Sequence, residues 1–173
     1  MTPPPSTAVP PVVALAARMI TFICLLVSAV VMVTNKINMI DAESIKFSDF
    51  YVYRYMLAAA VIGIAYTLLQ AALTLLHVLT GNKIGGDGLR TVDFFGDKVV
   101  SYLLATGAAA CFGFTVDVKR LNDASENVAG IAGNTDTDKF LNKANAAAAV
   151  LFVGFIFSAL SSIISSLSLP KRV

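Results

Sequence analysis

Apolar residues gather in four long runs, at about residues 12–33, 53–79, 92–114 and 144–169, separated by polar stretches. Each run has the length of about 20 residues that a helix needs to cross the hydrocarbon core of a bilayer. The pattern predicts an all-α membrane protein, a four-helix transmembrane bundle occupying 12–169. Phe47, Phe50, Tyr51, Tyr53 and Tyr55 crowd the start of the second run. Such aromatics suit the headgroup interface, where a ring faces lipid and a hydroxyl faces water.

The polar stretches differ in kind. Residues 34–52 carry Lys36, Asp41, Glu43 and Lys46. Residues 81–90 (GNKIGGDGLR) hold glycines at 81, 85, 86 and 88, which permit a tight reversal. Residues 115–143 form the longest polar segment and are expected as a loop. Residues 1–11 hold five of the six prolines and predict an extended or disordered tail. Pro170 stops the fourth run, and Lys171 and Arg172 make a basic end of 170–173.

Composition supports the same class. Of 173 residues, 57% are hydrophobic and 14% charged, whereas soluble domains carry about 45–50% apolar and about 25% charged residues. The net charge of +2 and the absence of a basic, aromatic-interleaved stripe point away from nucleic acid. The N-terminus lacks the basic n-region of a signal peptide, so the first run is expected to stay as an anchor.

Four crossings place both chain ends and the 81–91 turn on one side of the membrane. The Lys/Arg bias that sets orientation does not decide which side. Lys83, Arg90, Lys171 and Arg172 face Lys36, Lys46, Lys119, Arg120, Lys139 and Lys143, spread over longer segments.

Two charges inside the runs carry the most information. Arg18 lies 15 residues before Val33, and Asp97 lies 17 before Phe114. At 1.5 Å per residue both sit about 22–26 Å from the opposite interface. Matched depth allows an intramembrane ion pair, which lowers the cost of about 2.5–3.5 kcal/mol for a charge in hydrocarbon. The alternatives are an Arg18 that snorkels to the headgroups and an Asp97–Lys98 pair marking an interface. A pair would serve assembly or stability, because the middles of the spans are nearly free of charge and offer no transport path.

Small residues form a second pattern. Gly154, Ser158, Ser162 and Ser166 recur every four residues, broadened by Ser161 and Ser165, and Gly107 and Gly113 flank an alanine run. Such faces let helices approach closely, either within the bundle or between protomers.

No catalytic, cofactor or metal constellation emerges. Cys24 and Cys111 differ in depth by about 12 Å, too far for a disulfide. His77 is the only histidine and completes no zinc site. The glycine-rich turn has Asp87 where a phosphate-binding loop needs lysine. In the Asn134–Asp138 stretch Lys139 replaces the glycine of a calcium loop.

The segments YRYMLAAAVIGIAYTLLQ (53–70), FFGDKVVSYLLATGAAACFG (94–113) and SLPKRV at the end, with Arg18 and Asp97, resemble the Casparian strip membrane domain protein family in its CASP-like branch. The resemblance implies a MARVEL-related four-helix fold with both termini cytosolic. It implies a plasma-membrane location, homodimers or heterodimers, and cell-wall proteins as partners. It also matches Arg18 and Asp97 to the family's first-span arginine and third-span acid. Residues 34–49 lack the hydrophobic signature of strip-forming members, and the second extracellular loop lacks their cysteines. The expectation is therefore a non-enzymatic scaffold that organises a membrane domain, without strip formation. A small transporter or channel subunit lined by Ser158, Ser162, Asp97 and Arg18 is the alternative, and a membrane enzyme is a third.

Overall fold

The computed structural model describes residues 11–37, 45–80, 87–129 and 135–167. The proline-rich start, the glycine reversal at 81–86 and the basic end at 170–173 lie outside the described residues. The helices are α1 (Pro11–Val33), α2 (Tyr51–Thr80), α3 (Asp87–Ala129) and α4 (Thr135–Leu167). Between α1 and α2, β1 (Lys36–Ile37) and β2 (Ile45–Lys46) pair antiparallel, Lys36 opposite Lys46, and a 3-10 turn covers Phe47–Asp49. Four stretches are long and apolar enough to cross a membrane: Leu15–Val33, Tyr51–Leu73, Phe94–Ala124 and Asp136–Ile163.

The helices form a ring in which α1 packs on α2 and α4, and α3 packs on α2 and α4. Small side chains explain the close fit of α4. Ala144, Ala147 and Ala148 are fully buried, and a Cβ on Gly154 would lie 3.4 Å from Cys24 Cβ of α1. Leu25, Met56, Leu104 and Leu151 fill the axis. Ser28 donates to the Ala147 carbonyl at 2.8 Å, a polar tie between α1 and α4.

The outer surface is apolar as well. Ile23, Val27 and Val30 of α1, Ile62 and Leu69 of α2, Val99 and Tyr102 of α3, and Ile156 and Ile163 of α4 all point outward. An apolar surface of this extent belongs against lipid. The pattern explains why α2 reads as hydrophobic all round: one face meets protein and the other meets hydrocarbon.

Two expectations are corrected. Residues 115–143 are largely not a loop, because α3 runs to Ala129 and α4 begins at Thr135. No proline or glycine interrupts 115–129, and Phe114 and Val118 continue the buried face and pack on the core. Asp136 and Asp138 occupy the first turn of α4, where the helix dipole favours acids. With 43 residues, α3 is about 64 Å long and outreaches a hydrocarbon core of about 30 Å.

Tyr53 is the second correction. It is not an interfacial ring but is 0% exposed. Its centroid lies 5.5 Å from Phe50, 5.3 Å from Phe114 and 5.6 Å from Phe140. The edge-to-face geometry is the favourable one for aromatic pairs. Asn35 adds a polar tie at this end by donating Nδ2 to the Phe140 carbonyl at 2.9 Å. Tyr51 and Tyr55 do face outward.

A buried polar ring as the candidate functional site

Residues 17 and 21 flank Arg18 on the inner face of α1, and the Thr21 hydroxyl is already satisfied by the Ala17 carbonyl at 3.0 Å. Arg18 reaches across to partners on other helices. Its Nη2 lies 3.5 Å from Asp97 Oδ2 on α3, and both side chains are shielded, at 9% and 6% exposure. Arg18 therefore does not snorkel.

The 3.5 Å separation is long for a charged pair, and shorter bonds surround it. Arg18 Nη1 donates to Gln70 Oε1 at 2.5 Å. Gln70 Nε2 donates to the Tyr66 hydroxyl at 3.0 Å. Tyr66 in turn donates its proton to Asp97 Oδ1 at 2.8 Å. Arginine, glutamine, tyrosine and aspartate thus close a ring of four hydrogen bonds. Hydrogen bonds in such rings polarise one another in a low-dielectric interior.

α4 is joined through serines. Ser101, one turn after Asp97, donates to the Asp97 carbonyl at 2.7 Å. Its oxygen also lies 3.0 Å from Ser158 Oγ. The polar cluster therefore touches all four helices. It balances one cation with one anion, which suits a site where an isolated charge would be expensive.

Sequence reasoning missed Tyr66, Gln70, Ser101 and Gly96. A signal exists for two of them. Gln70 lies 17 residues after Tyr53 on the antiparallel helix, matching Asp97 in depth, and Tyr66 is one turn earlier on the same face. Gly96 has a purely steric part: a Cβ there would lie 2.6 Å from the Tyr66 hydroxyl. Only glycine leaves room for that oxygen to reach Asp97.

The small residues divide. Gly154 packs on α1, and Gly107 packs on α2 with its Cβ position 3.2 Å from Ala59 Cβ. Ser158, Ser161 and Ser162 are buried within the chain. The side chains of Ser165, Ser166 and His77 lie outside the described residues. Gly113 faces outward with nothing within 4 Å of its Cβ position, so it contributes no helix contact inside this chain.

Cys24 and Cys111 are free thiols. Among the described residues no group of three His, Cys, Asp or Glu side chains could hold a metal ion. What the ring and its serine extension can do chemically is tie four helices together.

Comparison with known proteins identifies the family. The Casparian strip membrane protein domain matches residues 8–157. CASP-like protein 4D1 of Ricinus communis is 46% identical over the full length of both chains. CASP-like protein 4D1 of Populus trichocarpa is 48% identical, covering 92% of this chain and 88% of its own. CASP-like protein 4D2 of Arabidopsis thaliana is 37% identical over 98% of each. No solved structure matches the chain. With four candidate spans and similarity along its whole length, the chain belongs to the Casparian strip membrane protein domain family and is a CASP-like membrane protein.

Proposed function

We propose that this protein is a non-enzymatic scaffold of the plasma membrane, with both termini cytosolic, that self-associates and organises a membrane domain. Its partners are further copies or related family members, giving homodimers or heterodimers, and it recruits cell-wall-related proteins through the segments on the α1–α2 and α3–α4 side.

The observation that carries this reading is the ring of Arg18, Gln70, Tyr66 and Asp97. Its charged groups are committed to one another across three helices. A ring so occupied supports a fixed bundle better than a moving gate. The far end of α3 supports a contact role, since Lys119, Arg120 and Leu121 are exposed past the apolar run at about 92–114.

Chemical crosslinking of the full chain in native plant membranes, with proximity labelling, tests the proposal. Crosslinked oligomers and labelled wall-associated proteins are expected. A chain that stays monomeric and labels only bulk membrane proteins would contradict it. Ion or solute flux in proteoliposomes, abolished by Asp97→Asn, would replace it with a transporter.

A further inference from the structure

Arg54 has no part in the polar ring. It sits one turn into α2, exposed, at the end next to the first polar segment. Among the described residues no carboxylate pairs with it. Its guanidinium carbon stands 5.7 Å from the centroid of the Tyr51 ring, which holds the charge at the level where aromatic side chains meet headgroups.

Below Arg54 the surface of α2 is dented. Ser48, Arg54, Leu57, Ala58, Val61 and Ile62 line a groove of about 420 Å³. The small Ala58 makes the depression and the larger side chains make its walls. From Arg54 to Ile62 the groove runs along the helix for about 12 Å. Its polarity is graded along that length: a cation and a hydroxyl lie at the top, and only hydrocarbon lies below. That gradient is the gradient of a phospholipid, phosphate above and acyl chain beneath.

We propose that this groove is a specific binding site for one anionic phospholipid of the adjacent leaflet. Arg54 donates to the phosphate, with the Ser48 hydroxyl beside it, and one acyl chain lies against Leu57, Ala58, Val61 and Ile62. Charge complementarity selects the occupant. A second copy presenting an apolar helix would offer the guanidinium no counter-charge, whereas a lipid phosphate neutralises it. The site is independent of the scaffold reading, because it requires only the bundle and the bilayer.

Native mass spectrometry of the full chain, released from mixed phosphatidylglycerol and phosphatidylcholine bilayers, tests it. The expected result is preferential retention of one phosphatidylglycerol. Arg54→Gln lowers that preference about fivefold, the factor for one basic residue at a headgroup, and Arg54→Lys keeps most of it. Ala58→Phe fills the groove and lowers retention of the bound lipid while the protein remains helical. An unchanged preference in Arg54→Gln overturns the proposal. So does a disulfide between copies through Val61→Cys in wild-type-like membranes, which would put a second chain on this face.

Discussion

Asp97 accepts hydrogen bonds from both Tyr66 and Arg18, so removing it strands a buried cation. Asp97→Ala is expected to destabilise the bundle by about 3–5 kcal/mol, the range for breaking a buried pair from one side. Reversible unfolding in mixed detergent micelles checks this. Replacing both charges, Arg18→Met with Asp97→Leu, should cost less than the sum of the single changes, with a coupling of about 0.5–3 kcal/mol. Strict additivity would show that the two groups do not interact. Gly96→Ala makes a different test, because it touches no charge. Its methyl would displace the Tyr66 hydroxyl, and a loss of about 1–3 kcal/mol is expected from the forced shift. Tyr66→Phe should relieve that clash only in part, because ring carbons Cε2 and Cζ stand 2.9 and 3.0 Å from the same position.

At the scale of elements, the helices differ in what their small residues do. Gly107 is enclosed by Ala59, Leu151 and the Met56 backbone, whereas Gly113 looks into open space. Gly107→Val is therefore expected to lower thermal stability by about 1–3 kcal/mol through overpacking. Gly113→Ala should be neutral or stabilising by about 0.5–1 kcal/mol, since alanine loses less backbone entropy in a helix. The reverse order would contradict the packing described. The extension of α3 gives a separate prediction. Lys119→Pro should raise amide hydrogen exchange across 115–129 while 97–111 stays protected, because proline breaks only the projecting turns.

The sequence makes some of these features visible and hides others for physical reasons. Apolar runs of membrane length reveal the four helices, and Arg18 and Asp97 stand out because charge is rare in hydrocarbon. Tyr66 and Gln70 are neutral, so nothing in local composition separates them from ordinary interfacial residues. Only depth counting across antiparallel helices brings them to the ring. Residues 115–129 look like a loop because they are polar. Their helix is anchored where Phe114 and Val118 pack on the core, a tertiary contact invisible to a window of sequence. Tyr53 misleads in the opposite sense: its type suits an interface, but Phe50, Phe114 and Phe140 enclose it.

For the whole molecule, the bundle combines a buried polar cluster around Arg18 and Asp97 with an apolar exterior. Such a body suits a bilayer, and the proposed self-association would use its outer faces. The ring ties α1, α2 and α3, and the Ser101–Ser158 contact extends the tie to α4. The most direct test is single-molecule photobleaching and tracking of the fluorescently tagged full chain in native plant plasma membrane, with Arg18→Ala, Asp97→Ala and the double variant. The account predicts slowly diffusing multimers for the wild type, dispersal by either single change, and no further dispersal in the double variant. A freely diffusing monomeric wild type, or two independent additive effects, would contradict it.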